Sequence, residues 1–292
     1  MWNEKYLKYW SDMWEYSMHH TENFSAEIRT KKEQIAAWNE SAQSFDNGMG
    51  GDISRVYAAI DLIEKKGYYD KQMCAMDVGS GTGIFTIPFA KKYKEVYSFD
   101  VSSGMQDCIR KKAKEENIIN IKYICKDWHE LDLKREGLFK KFDMVLSSIN
   151  CRGINNFEAI NKMNQASKGG CCLITWAGPG ENNHSKELNE LVLGRQLKSE
   201  GGNDIIIPFN IIYSMGGMPE LTYSTCCWEK KSTIDDAINQ ICNNYWRFID
   251  ITDEIKEKIK GYVVKNSHDG IYTEKAKHNV GIMVWDSWRI KD

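Results

Sequence analysis

Proline is scarce in this chain, with four among 292 residues, and neither charge sign is in clear excess. So few prolines, and no low-complexity tract or repeat, argue against a flexible linker between domains. No stretch approaches the ~20 apolar residues needed to span a bilayer, so no membrane partner is expected. The start, Met1 to Trp14, carries Glu4 and Asp12 and lacks the apolar core of a signal peptide. A formal net charge of −2 creates no global field for nucleic acid. The short basic runs Arg110-Lys111-Lys112 and Lys140-Lys141 read as solvated faces. Nine cysteines are present, yet none forms C-x-x-C. The adjacent pairs Cys171–Cys172 and Cys226–Cys227 lie in strand-like surroundings, where neighbours face opposite sides. They suit neither a disulfide nor a zinc corner, so reduced thiols, no metal and a cytoplasmic location are expected.

Hydrophobic residues make up 42% of the chain and charged residues 27%, an ordinary globular balance for a sizeable core. Trp2, Tyr6, Trp10, Met13 and Trp14 fall near one face of a first helix. A second helix is expected over about 25–44, broken by Asp46, Asn47, Gly48, Gly50 and Gly51, and a third over about 53–66. From residue 73 the pattern alternates. Strands are expected at 73–78, 95–99, 121–125, 142–147 and 171–176, with helices between most of them, which implies a parallel sheet covered on both faces. After Trp176 the rhythm is lost. Helices are expected at about 185–199, 234–248 and 253–264, and strands at 221–228 and 280–285. The expected organisation is a helical N-terminal cap (1–47) and one α/β domain (48–292) with a cap insertion at about 178–220.

The first strand runs into Asp77-Val78-Gly79-Ser80-Gly81-Thr82-Gly83. Glycines there permit a tight turn and close approach of a ligand, and the next helix aims its free N–H groups at the same place. Dinucleotide folds space these glycines G-x-G-x-x-G. Here the third comes one residue early, Ile84 stands where the dinucleotide pattern has glycine, and Asp77 precedes the first glycine by two positions. That combination argues against a nicotinamide cofactor.

The motif resembles the first motif of class I S-adenosylmethionine-dependent methyltransferases, acidic-x-G-x-G-x-G. The resemblance implies a Rossmann-like doubly wound sheet, mostly parallel with an antiparallel late strand, and S-adenosylmethionine as cofactor. It places Asp77, Gly79, Ser80, Gly81 and Gly83 around methionine and ribose. Asp100, ending the second strand, would accept from the ribose hydroxyls, and Val101 to Met105 would meet adenine. Asp127 and Trp128 resemble the acidic residue near the adenine amino group and its stacking neighbour. The strand ending at Ser147, followed by Ser148, Ile149 and Asn150, resembles the strand beside the transferred methyl. Trp38 to Asp46 is similar to the entry segment of small-molecule methyltransferases of the ubiquinone-biosynthesis type.

Methyl transfer from a sulfonium is a direct displacement, so positioning does most of the work. A base is required only for an acceptor that keeps its proton. Ligands of open α/β sheets lie beyond the C-terminal strand ends, which makes Asn150, Arg152, Trp176 and His184 acceptor-side candidates. Tyr6, Tyr9, Trp10, His19, His20 and Trp38 could close over the site as a mobile cap. A small-molecule acceptor is the expectation. A protein or RNA methyltransferase, a non-catalytic S-adenosylmethionine-binding module and three-thiol arsenic chemistry stay open, as does oligomeric state.

Overall fold

The computed structural model describes residues 2–48, 53–150, 152–199 and 201–290. The expected helix break at Gly50 and Gly51 and the side chain of Trp2 lie outside the described residues. In chain order the elements are α1 (Trp2–His20), α2 (Glu22–Ser25), α3 (Lys31–Gly48), α4 (Ser54–Lys65), β1 (Cys74–Val78), α5 (Thr86–Lys92), β2 (Glu95–Asp100), α6 (Ser103–Glu115), β3 (Ile121–Cys125), β4 (Phe142–Ser148), α7 (Phe157–Ala166), β5 (Ser167–Trp176), β6 (Glu181–Asn182), α8 (Ser185–Leu193), α9 (Ile206–Ser214), β7 (Glu220–Thr233), α10 (Ile234–Trp246), α11 (Asp253–Lys265), β8 (Ser267–His268) and β9 (Ile271–Asp286). The helix expected over 25–44 is split, because α2 stops at Ser25 and α3 begins only at Lys31. The helix expected to reach Ser199 stops at Leu193, where Gly194 takes a left-handed φ of 67° and ends it.

The five strands β3-β2-β1-β4-β5 are parallel, and β9 joins β5 antiparallel, which gives the expected Rossmann-like sheet with one late reversed strand. The apolar runs of β1 and β4 make sense in this position, since a central parallel strand is buried on both faces. Adjacent cysteines mark the two faces. Cys171 packs into the core beside α7 and α9, and Cys172 into the core beside α4 and α5. Burial pushes the Cys171 thiol up to about 12, and that of Cys172 up as well, so both are inert hydrophobes.

β9 is longer than the 280–285 strand read from the sequence. Residues 280–286 complete the sheet against β5, while 271–279 continue past the end of β5 as a ribbon with β7. That ribbon carries a third apolar cluster, in which Leu188 and Val192 of α8, Ile238 and Ile241 of α10, and Ile259 and Val263 of α11 pack around Tyr272. The side-chain hydroxyls of Thr233 and Thr252 cap α10 and α11, accepting from the amides of Asp236 and Ile255. The resulting lobe stands beyond the C-terminal ends of the parallel strands, the edge where such sheets bind ligands.

The N-terminal helices pack on this body. Trp14 of α1 is buried, and its indole N–H donates to the Gly202 carbonyl at 2.9 Å, whereas Tyr6 and Tyr9 are exposed. The aromatic stripe is therefore divided between core and surface. Helix α3 rests on the start of α6, where Asn39 Oδ1 accepts from the Ser102 hydroxyl (2.8 Å) and the Gly104 amide (3.1 Å). Among the described residues no helix is long and apolar enough to cross a membrane.

Candidate active site

The loop after β1 is built from left-handed turns. Gly79 has φ of 73° and Gly81 φ of 51°, conformations that cost an L-residue roughly 1–2 kcal/mol. The loop is tied to the end of β2, since the amides of Gly79 and Ser80 both donate to the Phe99 carbonyl (2.7 and 3.1 Å) and the Ser80 and Ser98 hydroxyls lie 2.8 Å apart. Asp100 completes the cradle. One carboxylate oxygen accepts from the Gly81 amide (2.9 Å) and the other from the Ser102 amide (2.8 Å). Burial nevertheless raises its pKa, against the pull of these amides. A carboxylate offers about four lone-pair sites, and with the Val101 amide also favouring the charged form at least one remains for a ligand hydroxyl. A Cβ added at Gly81 would meet nothing within 4 Å, so the cradle is open on that side.

Asp77 lies beneath the loop rather than at its surface. It is buried, and the Thr86 hydroxyl donates to it at 2.6 Å. Burial pushes its pKa up to about 7, although Thr86 pulls the other way. Because this folded-state value exceeds the unfolded one, the associated stability is complete below about pH 4 and is lost as pH rises through about pH 7. The loss is on the order of 4 kcal/mol in the ligand-free protein. Asp77→Asn should therefore flatten the decline of thermal stability between about pH 4 and pH 8, as followed by calorimetric melts. A variant whose melting temperature tracks wild type over that range would rule out Asp77 as the source.

The remaining residues of the expected cofactor set fall into two groups. Val101 and Asp127 are half-buried on the loop side of β2 and β3. Lys31 of α3 reaches Asp127 at 2.8 Å, and the His129 amide donates to it at 2.6 Å. Burial raises the Asp127 pKa, but these two donors outweigh it and hold the carboxyl below its usual range. Met105 is buried against Ala42 of α3. Ser147 and Trp128 are instead interior. The Ser147 hydroxyl donates to the Val78 carbonyl at 2.8 Å, and the Trp128 indole N–H donates to the Ala159 carbonyl at 3.0 Å with the ring edge-on to Phe99. Both support the cradle from behind. Trp128 offers no open face for stacking, because the sheet core claims a side chain that large.

Of the acceptor-side candidates, Asn150 clasps the tip of β4 to the loop. Its amide nitrogen donates to the Val78 carbonyl at 3.3 Å, and its oxygen accepts from the Gly153 amide at 3.1 Å. A Cβ at Gly79 would collide with this side chain. Trp176, at the end of β5, packs on His278 with ring centroids 5.0 Å apart. His184 belongs to the lobe, with its ring on Tyr272 and its nitrogens 2.8 Å from the Tyr262 hydroxyl and 3.2 Å from the Thr273 carbonyl. Arg152 pairs with Glu27. Trp10 packs beside the core, His20 stacks on Tyr16, His19 lies 3.9 Å from Glu15, and exposed Trp38 meets Phe45 edge-on. Thr86, Lys31, Glu27 and His278 escaped the sequence reading. Only Thr86, at the start of a helix that follows the glycines, carried a local signal. Among the described residues no cluster of three or more His, Cys, Asp or Glu could hold a metal ion.

The strand order and the glycine cradle define a Rossmann-like α/β domain. Residues 75–170, from β1 to the start of β5, match a family model described as a methyltransferase domain. That stretch is thus similar to a methyltransferase domain, the kind of domain whose glycine motif the loop after β1 resembles. An uncharacterised protein of Haemophilus influenzae is 28% identical over 87 residues, covering 26% of this chain and 32% of that protein. The ribosomal RNA small subunit methyltransferase A of Desulforapulum autotrophicum is 28% identical over 106 residues, covering 36% and 34%. The chain spans no more than about a third of the length of the curated relatives it matches. A solved protein of Bacillus halodurans C-125, described as a candidate methyltransferase, superposes with a TM-score of 0.49 at 14% identity, over 79% of this chain and 99% of that one.

Proposed function

We propose that this chain transfers a methyl group from S-adenosylmethionine to a small molecule by direct displacement. The observation that carries the reading is the Asp100 cradle, in which one carboxylate held by two backbone amides faces an open glycine turn. Bound there, the cofactor supplies a methyl group already activated for displacement by its sulfonium. Asp100 fixes the ribose, Asp127 receives the adenine amine, and Asn150 holds the β4 tip close enough to the loop to wall the reacting end. The lobe and the N-terminal helices limit access at the strand ends, and exclusion of water favours transfer over side reactions.

A small acceptor suits the charge pattern of the lobe. Lys258 and Lys260 of α11 pair with Glu254 (2.8 Å) and Glu257 (3.8 Å), so the basic residues of that helix are interspersed with acidic ones rather than gathered into the basic face RNA binding needs. Calorimetry with S-adenosylhomocysteine tests the cofactor half of the reading, and mass spectrometry of methylated products in a metabolite extract tests the acceptor half. Labelled RNA with unlabelled metabolites would overturn the small-molecule assignment. Asp100→Asn is expected to weaken cofactor binding by about 1–3 kcal/mol through lost charge-assisted hydrogen bonds. Wild-type affinity in that variant would remove Asp100 from the ribose.

A further inference from the structure

Two indoles and an imidazole form a stack at the outer rim of the sheet. The His278 ring lies parallel to Trp228, with centroids 5.0 Å apart and 9° between planes, and against Trp176 at 5.0 Å and 47°. Register explains the grouping. Trp176 of β5 opposes Val280, and Cys226 of β7 opposes His278, so alternation puts Trp176, His278 and Trp228 on one face. That face is shared with Ile84 of the glycine loop and Ile149 at the tip of β4. His278 stands two residues past the last β5–β9 pair, or about 7 Å beyond the strand end. Only β5 separates β9 from β4, which puts the ring about 10 Å laterally from the β4 tip, the span of one small molecule.

The ring is held by packing alone. Its neighbours are the two indoles and the backbone of Gly180, where even a methyl group would strike Nδ1. Structural histidines in this chain are different, since His184 has both nitrogens engaged and His129 bonds the Arg152 carbonyl at 3.0 Å. Burial also pulls the His278 pKa below its ordinary value, so the ring is the neutral, proton-accepting form near neutral pH. By register this face also carries Cys226, opposite His278, and the Lys230–Glu274 pair farther along the ribbon, while Arg55 is buried in the first turn of α4, which packs against both strands. Glu181 and Lys277 are register partners on the other face. An imidazole clamped by two aromatic rings, with Nδ1 against the Gly180 backbone and Nε2 bonded to no protein group among the described residues, is suited to removing a proton from a planar, weakly acidic group.

We propose that His278 is the acceptor-side base and that the acceptor is a phenol or enol hydroxyl, flat enough to lie along the Trp176–Trp228 rim. This rests on the methyl-transfer reading above. As the acceptor oxygen forms its bond to the methyl carbon, its O–H proton passes to His278. The carbon–sulfur bond breaks with its electron pair retained by sulfur, giving a methyl ether and S-adenosylhomocysteine. The imidazolium then releases its proton to water.

The test compares wild type with His278→Phe, which keeps a flat ring between the indoles, and His278→Gln, which keeps polarity, with circular dichroism confirming the fold. Phenol and para-nitrophenol are the probes, the latter at alkaline pH where it is already ionised. Loss of the base is expected to slow single-turnover methylation of phenol by about 100-fold or more in both variants, and that of para-nitrophenolate far less. Binding of para-nitrophenol to the S-adenosylhomocysteine complex gives a second readout, independent of turnover. Wild type should raise the phenolate absorbance at a pH where the free probe is mostly protonated, and His278→Phe should not. Equal slowing of both probes, or matching spectra in wild type and variant, would overturn the base assignment. Wild-type methylation of a primary amine but of neither phenol would overturn the acceptor class while sparing the methyl-transfer reading. Absence of S-adenosylhomocysteine binding in wild type would instead sink the methyl-transfer reading and this proposal with it.

Discussion

Gly81→Val is expected to abolish measurable binding of S-adenosylmethionine and S-adenosylhomocysteine while leaving a folded protein. The space on the Cβ side of Gly81 holds no protein atom within 4 Å, so the substitution does not collide with the fold. It adds strain, because φ is 51° there and valine is branched at Cβ. That strain is roughly 1–2 kcal/mol against a stability of roughly 5–15 kcal/mol. The valine methyls would project where the ligand must approach the turn, and the Gly81 amide that fixes Asp100 would be displaced. Gly79 is a poorer probe, since its Cβ would strike Asn150 and confuse loss of binding with loss of the β4 clasp. Titration calorimetry with a parallel thermal melt separates the two effects. A folded Gly81→Val protein that binds the cofactor as wild type does would remove the glycine loop from the site.

Glu27→Ala should cost about 1–3 kcal/mol of stability, the penalty for breaking a half-buried ion pair from its buried side. The Glu27 side chain is only 3% exposed, and it receives Arg152 from the β4–α7 connection and Arg247 (3.6 Å) from the end of α10. Gln34 adds a hydrogen bond at 3.1 Å. Burial lowers the Arg247 pKa, and Glu27 acts in the opposite direction by favouring the cation. Without Glu27, two half-exposed guanidinium groups are left beside each other with no carboxylate between them. Combining Glu27→Ala with Arg247→Met should therefore cost less than the sum of the single changes, because the second change removes a charge the first has stranded. Urea denaturation of the four proteins measures the coupling. Strict additivity would show that the cluster is not an energetic unit. The flanking contacts point the same way, with Arg29 donating to the Trp246 carbonyl (2.8 Å) and Glu22 pairing with Arg195 (2.6 Å). This stretch fastens the N-terminal helices to the lobe.

The parallel sheet and its glycine turn are legible in the sequence because their signals are local. Glycines at fixed offsets, an acidic residue ending β2 and apolar runs bounded by turns each report on a few consecutive residues. What the sequence hid is made by distant pairs. Lys31 meets Asp127 and Glu27 meets Arg247 only after the sheet has formed, and no periodicity announces such partners. Trp128 looked like a ligand contact for the same reason, since nothing beside it in sequence shows that α7 covers it. The strand expected at 221–228 ends where the charged run Glu229-Lys230-Lys231 begins, although that run continues the strand opposite Lys275, Glu274 and Thr273. His278 sits in that same polar stretch, so its pairing with two tryptophans was invisible until register was known.

The position of β9 also governs how the chain reaches its structure. It pairs with β5 about a hundred residues upstream and follows every other strand of the sheet in chain order. Until it arrives, the apolar stretch Cys171–Trp176 is an open strand edge in a half-made sheet. Contacts so far apart in sequence are slow to form, and unpaired apolar edges invite association with other chains. The ribbon that suspends the lobe belongs to the same strand, so the lobe hairpin of α10 and α11 is complete before the sheet beneath it can close. Assembly therefore runs against the order of the finished architecture, with the superstructure ready ahead of its foundation.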